Sequence, residues 1–146
     1  MKRYILCIII SMFASCTNSS NSTEGSSSDP NRITEINITS VDFYISTYIS
    51  VDCDNFCDAF TAEEKVITCI TDADEINCIL NLIDKKAPTG KNRKVDTRAK
   101  IYLCSETDTI AVCLDFFTLY MNNEYYKAPR ELVEYIEKLN SEHTVN

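Results

Sequence analysis

Residues 98–126 constrain the fold more than any other part of the chain, because apolar side chains recur in them at every second position. A period of two is that of a β-strand, in which successive side chains point to opposite faces. Turn-forming residues at 107–108 and 122–123 divide the segment into consecutive antiparallel strands. The apolar side chains expected on one face are Ile101, Leu103, Ile110, Val112, Leu114 and Phe116.

The position of the first turn decides which residues pair. If the turn is centred on residues 107 and 108, Leu103 faces Val112, and Cys104 becomes a diagonal neighbour of Cys113. Diagonal neighbours lie near the upper limit of disulfide reach. A bond between these two cysteines is therefore compatible with the register but is not required by it.

The strand that enters the second turn is apolar on both faces. Phe117, Leu119 and Met121 occupy the second face, and Tyr126 joins them across the turn. Either another layer covers this face, such as residues 53–60 or the N-terminal strand, or the face is exposed and binds a partner. Phe117, Leu119 and Tyr126 are therefore candidate partner-binding residues.

Shorter patterns predict the remaining strands and a short helix. Alternation over residues 32–51 indicates one long or two shorter strands, and residues 66–70 indicate another. Residues 52–60 change to a helical period, with Asp52 as the N-cap. The expected buried face of that helix is Cys53, Phe56, Cys57 and Phe60.

Two longer helices complete the prediction. Asp72 with Glu75 resembles a capping box at the start of a helix over residues 72–86, and Pro129 opens a last helix that ends near Asn140. Both segments carry an apolar stripe at helical spacing. We therefore predict an α+β fold, an antiparallel β-sheet with two or three helices packed mainly on one face.

Six cysteines are candidates for disulfide bonds: Cys53, Cys57, Cys69, Cys78, Cys104 and Cys113. Six cysteines allow 15 connectivities, among which a sequence cannot choose. Their spacings, Cys-x3-Cys and Cys-x8-Cys, do not match the common zinc frameworks, and we expect no metal site.

The first sixteen residues, MKRYILCIIISMFASC, have two cations, an apolar run, two small residues and a cysteine. This pattern resembles the lipobox signal of bacterial lipoproteins, although Phe13 stands where that family usually has Leu. The resemblance implies a signal peptide over residues 1–15 and lipidation of Cys16. An ordinary signal peptide is the alternative, but its cleavage site would require a small residue in place of Phe13.

This resemblance implies that the protein is located in the cell envelope, lipid-anchored at the periplasmic face or the cell surface. Residues 16–31 comprise the lipidated cysteine and a flexible tether rich in Ser and Asn, and residues 32–146 form a single globular domain. The order of elements also resembles that of small uncharacterised lipoproteins of Bacteroidetes, which implies no activity.

Charge limits the partners. The chain has 14 Lys and Arg against 22 Asp and Glu, a formal net charge of −8, so nucleic acid is not an expected partner. Seven cations nevertheless fall in residues 85–100. They are either a solvated loop or a docking site for an acidic glycan or envelope protein, with Lys91, Arg93 and Lys94 as candidate binding residues.

Catalytic chemistry has little support in the sequence. The only histidine, His143, lies in a polar tail, and the two glycines, Gly25 and Gly90, cannot form a glycine-rich phosphate loop. We therefore expect no catalytic residues, no cofactor and no enzyme activity. The leading hypothesis is a non-catalytic binding or structural module, and the alternative is a disulfide-stiffened inhibitor or protective protein that acts on an envelope or extracellular enzyme.

Overall fold

The computed structural model describes residues 29–89 and 94–143. Within them an antiparallel sheet of seven strands, in the order β2-β1-β4-β5-β6-β7-β3, packs with three helices, which confirms the predicted α+β fold. The elements are β1 Glu35–Ser40, α1 Phe56–Ala59, β2 Val66–Ile70, α2 Ala73–Asp84, β3 Ala87–Pro88, β4 Ala99–Cys104, β5 Thr109–Leu114, β6 Thr118–Met121, β7 Glu124–Lys127 and α3 Arg130–His143. The predicted signal peptide, Cys16, most of the tether, Lys91 and Arg93 lie outside the described residues.

The main core lies between one face of the sheet and the two long helices. The sheet contributes Ile36, Ile38, Ile101, Leu103, Val112, Leu114 and Leu119. The helices contribute Ile76, Ile79 and Ile83 from α2 and Leu132, Val133 and Ile136 from α3. Both helical stripes thus bury their predicted residues on the same face of the sheet.

The start of α2 confirms the predicted cap. Asp72 Oδ1 accepts hydrogen bonds from the backbone N–H groups of Asp74 and Glu75, at 3.1 and 2.9 Å. The Glu75 carboxylate accepts a 2.6 Å hydrogen bond from the Tyr135 hydroxyl, which links α2 to α3. The two helices are therefore joined by a polar contact as well as by their apolar stripes.

The turn between β4 and β5 lies one residue earlier than the sequence predicted. Ser105 closes this turn, since its N–H donates to Asp108 O at 2.9 Å and its hydroxyl accepts from the Asp108 N–H at 3.0 Å. As a result Leu103 pairs with Ile110 rather than with Val112. The apolar residues stay on the predicted face, but the predicted register was wrong.

A second correction concerns the segment that was predicted to run as a single strand into the turn at residues 122–123. The chain reverses at residues 115–118, so that Leu114 pairs with Leu119 across a hairpin. Paired residues share a face, and Leu119 therefore joins the main core, where it is fully buried. The prediction of Leu119 on a second face was wrong.

Residues 41–60, which we call the covering segment, also differ from prediction. The expected strand stops at Ser40, because Asp42 forms a turn in which its carboxylate accepts from the Tyr44 N–H at 2.9 Å. The helix in this segment is a single turn that buries Phe56 but leaves Cys57 exposed. A small second core forms here from Val41, Val51, Phe56 and Phe60.

The covering segment is fastened at Cys53 to the outer face of the sheet, opposite the long helices. At its start, Phe43 packs into the main core and the Val41 carbonyl oxygen accepts from Asn140 Nδ2 of α3 at 2.9 Å. Cys53 is disulfide-bonded to Cys113, and its carbonyl oxygen accepts from Lys100 Nζ at 3.0 Å. Lys100 and Cys113 are register partners in β4 and β5. A second layer thus covers part of the outer face. Coverage by another layer was one of the two predicted alternatives, and exposure to a partner was the other.

Residues 29–31, assigned to the tether from their composition, form a turn against the domain. The N–H of Arg32 donates to Asp29 O at 3.0 Å, and the Thr107 hydroxyl donates to Pro30 O at 3.2 Å. Asp29 and Pro30 thus contact the domain, and the boundary at residue 32 stays a prediction.

Candidate functional site

The turn at residues 115–118 holds an exposed aromatic residue in a fixed position. Asp115 Oδ1 accepts hydrogen bonds from the backbone N–H groups of Phe117 and Thr118, both at 2.7 Å. The Phe117 carbonyl oxygen accepts from the Ala128 N–H at 2.9 Å. The backbone of Phe117 is thus bound on both sides, while its side chain is 63 % exposed.

Three aromatic residues meet at this turn. The ring centroid of Phe116 lies 5.0 Å from that of Tyr44 and 6.1 Å from that of Phe117. Beneath them Phe43 is buried and makes an edge-to-face contact with Phe116 at 5.2 Å. We call Tyr44, Phe116 and Phe117 the aromatic edge.

A groove of about 940 Å³ runs from the aromatic edge to the first turns of α3. Its apolar wall includes Ala128 and Val133, and its rim carries charges of both signs, Lys127, Arg130, Glu134 and Glu137. Arg130 Nε donates to Glu134 Oε1 at 2.6 Å across the rim. The groove therefore combines an apolar floor with polar borders, as ligand and partner sites do.

A network of part-buried polar contacts lies next to the turn at residues 115–118. Arg98 is 6 % exposed and binds the Asp96 carboxylate through both terminal nitrogens, at 2.9 and 2.8 Å. The Asp96 N–H donates to Asp115 Oδ2 at 3.0 Å, while Asp96 Oδ1 accepts from the Val51 N–H at 2.8 Å. The turn that carries Phe117 is thereby joined to the covering segment that carries Tyr44.

The sequence prediction found only part of this site. Phe117 was predicted as a partner-binding residue and is exposed, but Tyr44 and Phe116 were not proposed for that role. Asp115 was also missed, although an Asp followed three residues later by Thr118 is a recognisable turn signal. The turn was missed because Phe116 and Phe117 follow a strand pattern and were interpreted as its continuation.

The other predicted partner-binding residues do not join the aromatic edge. Tyr126 is half-buried, packs against the main core and lies beneath Lys86 Nζ, which is 5.4 Å from its ring centroid. The hydrogen bond that its hydroxyl donates to Glu124 raises the pKa of Tyr126. Lys94 is exposed and lines a separate cleft beside Tyr126.

The described cations of residues 85–100 do not form one continuous patch. Arg98 is buried against Asp96, and Lys100 Nζ binds the Cys53 carbonyl oxygen beneath the covering segment. Lys85 pairs with Glu131 at 3.4 Å. A backbone hydrogen bond, and then this contact with Lys85, lower the pKa of Glu131. Most of these cations therefore serve contacts within the domain.

Two of the six candidate cysteines are bonded in the structure. Cys53 and Cys113 have Cα atoms 5.7 Å apart, and the bond closes a separation of 60 residues. The compatible pair Cys104–Cys113 does not form, because Cys104 faces Thr109 while Cys113 faces Lys100. Cys57, Cys69, Cys78 and Cys104 are free thiols.

No group of three or more His, Cys, Asp and Glu side chains in residues 29–89 and 94–143 is arranged to hold a metal ion. None of the helices in those two ranges is long and apolar enough to cross a membrane. Comparisons with models of protein families, with curated proteins and with solved structures find no match to this chain.

Proposed function

We propose that the protein is a lipid-anchored module of the cell envelope that binds a partner protein through the aromatic edge and catalyses no reaction. The observation that carries the proposal is the fixed and exposed position of Phe117, 63 % exposed on a turn held by hydrogen bonds at both peptide groups. Because the backbone of Phe117 is already fixed, binding through this residue costs little backbone conformational freedom.

The surroundings of Phe117 favour a protein partner. Exposed apolar patches with polar rims mark protein interaction sites, and aromatic residues dominate the binding energy of such interfaces. Tyr44 is 78 % exposed beside Phe117, and the rim alternates Lys127 and Arg130 with two glutamates. An apolar side chain flanked by charged or polar groups would complement this groove.

An acidic glycan is less well supported as the ligand. A glycan site built on residues 85–100 would require accessible cations, whereas Arg98 is buried against Asp96 and Lys100 binds the Cys53 carbonyl oxygen. Lys85 is exposed but paired with Glu131, which leaves Lys94 as the exposed cation of the described part of this loop. The proposal therefore takes the aromatic edge, and not the cation-rich loop, as the binding surface.

Site-specific photocrosslinking of the full chain tests the binding surface. A benzophenone amino acid placed at Phe117 should capture a defined envelope protein in intact cells, and Tyr44→Ser should abolish that product. The matched control is the same probe at Tyr48, an aromatic residue that is fully exposed elsewhere on the covering segment. Equal products from both positions, or no product from Phe117, would contradict the proposal.

The anchor is tested separately by labelling with an alkyne analogue of palmitate. Cys16→Ala should remove the label and release the protein from the membrane fraction. Cys57→Ala changes an exposed cysteine of the domain, and this variant should keep the label and stay in the membrane fraction. A label that survives Cys16→Ala would refute lipidation at that residue.

A further inference from the structure

The two edges of the sheet differ in how well they are protected. At one end lies β3, which has only two residues and includes Pro88, a residue that cannot donate to a neighbouring strand. At the other end lies β2, whose five residues, VITCI, include no charge, proline or glycine. Natural edge strands usually carry one of these protective features.

Among the described strands, β2 has a neighbour on one side alone, which is β1. β2 pairs with β1 through five consecutive residues without a bulge. Among the backbone hydrogen bonds of residues 29–89 and 94–143, none joins β2 to a segment on its other side. Ile67 in this strand is 69 % exposed, and Cys69 is exposed beside it on the same face.

We infer that β2 pairs with β2 of a second copy of the chain, antiparallel and about a two-fold axis at Thr68. In an antiparallel pair the two residues that face each other direct their backbone N–H and C=O groups either both toward the partner strand or both away from it. A strand that pairs with itself must therefore have its axis at a residue and not between residues. The axis at Thr68 is the one that pairs all five residues of β2.

This register gives every side chain of β2 a compatible neighbour. Thr68 faces Thr68, a favourable cross-strand pair, and Val66 faces Ile70 on the side of the main core. On the outer face the exposed Ile67 meets Cys69 of the other copy. The two sheets thus become one, with a continuous apolar row at the join.

Charge does not oppose pairing within the strand. No like charges face each other within β2, because the strand has none. Beyond the strand this register brings Lys65 opposite Thr71 and Glu64 opposite Asp72, so the charges that flank β2 do not add to the pairing. The pairing leaves the aromatic edge out of the contact and does not rest on the proposed function.

Disulfide trapping tests the register directly. In the full chain, Ile67→Cys places a thiol opposite Cys69 of the other copy, and facing residues lie within disulfide reach. Mild oxidation should convert the chain to a two-chain species on a non-reducing gel. The double variant Ile67→Cys with Cys69→Ser leaves only diagonal thiol pairs within β2 and keeps the other free cysteines, so it should give at least about tenfold less of the two-chain species. Equal trapping in both variants, or none in the first, would overturn the register.

Sedimentation tests the association itself. The full chain in density-matched detergent should have the mass of two chains at roughly 100 µM, a concentration suited to a small interface. Ile67→Lys should reduce it to one chain, whereas Ile49→Lys, at another residue exposed by more than two thirds, should leave the dimer intact. A wild-type chain that stays monomeric, or a dimer that survives Ile67→Lys, would refute the inference.

Discussion

The main core and the covering segment are stabilised by different kinds of interaction. The main core buries apolar side chains from five strands and from both long helices. The second core within the covering segment has only four buried residues, while Phe43 of the same segment packs into the main core. The segment is also attached by one disulfide and by the network around Arg98 and Asp96. A layer too small to bury much apolar surface needs covalent or polar attachment, as small domains do.

The main core should show the largest effect of a single substitution. We expect Leu119→Ala to lower the free energy of unfolding by about 2–5 kcal/mol, because it leaves a cavity at a fully buried position. Phe117→Ala, two residues away in the same hairpin, should change it by less than about 0.5 kcal/mol because the ring is exposed. Urea denaturation measures both, and equal losses would contradict the assignment of Leu119 to the core.

Removal of the disulfide should have the next largest effect. We expect Cys53→Ala with Cys113→Ala to lower the free energy of unfolding by about 2–4 kcal/mol, since the bond closes a long loop in the unfolded chain. The matched pair Cys57→Ala with Cys69→Ala changes two exposed thiols and should have little effect. The same urea titration compares the two pairs, and a similar loss from both would mean that the bond does not stabilise the native protein.

The buried guanidinium of Arg98 should matter less than the disulfide. Arg98→Met removes a two-point ion pair, but the Asp96 side chain is 42 % exposed and keeps its hydrogen bond from Val51. We therefore expect a loss of about 2 kcal/mol, below the range for fully buried pairs. Limited proteolysis should show earlier cleavage in residues 41–60, and Arg130→Met, which breaks an exposed pair, should leave the cleavage rate unchanged.

The contact between the two long helices should give the smallest effect. Tyr135→Phe removes the 2.6 Å hydrogen bond to Glu75 and should cost about 1 kcal/mol. Burial, and then this hydrogen bond, raise the pKa of Tyr135 above its ordinary value of 10.0. The folded protein therefore holds this proton more tightly than the unfolded chain, and the contribution present below pH 10 is lost as the pH rises further.

Stability measured against pH checks the sign of that prediction. The wild-type protein should lose stability above pH 10 more steeply than Tyr135→Phe. Tyr120→Phe, which alters a tyrosine bonded only to the nearby Asn123, should follow the wild type. Identical slopes for the wild type and Tyr135→Phe would contradict a raised pKa at this residue.

Local patterns in the sequence were sufficient to predict much of the main core. The stripe Ile76, Ile79 and Ile83 predicted the buried face of α2, and the alternation in residues 98–114 predicted the buried face of β4 and β5. These patterns depend on residues that are close in sequence, so they can be recognised without knowledge of the rest of the fold.

The covering segment and the aromatic edge were harder to predict because they depend on distant contacts. Cys53 and Cys113 are 60 residues apart, and Tyr44 reaches Phe116 only because Asp42 turns the chain after β1. The reversal at Asp115 depends on one carboxylate that binds two backbone N–H groups. The apolar pattern placed Phe117 on a second face, either covered or exposed, and Phe117 is exposed, whereas the same pattern placed Leu119 on the wrong face.

Hydrogen exchange before and after reduction tests the contrast between the two regions most directly. With the disulfide of Cys53 and Cys113 reduced, amides in residues 41–60 should exchange faster, while those of β4 and β5 stay protected by the main core. A reduced protein in which both regions lose protection together, or in which residues 41–60 keep theirs, would contradict the account that this segment depends on its attachments.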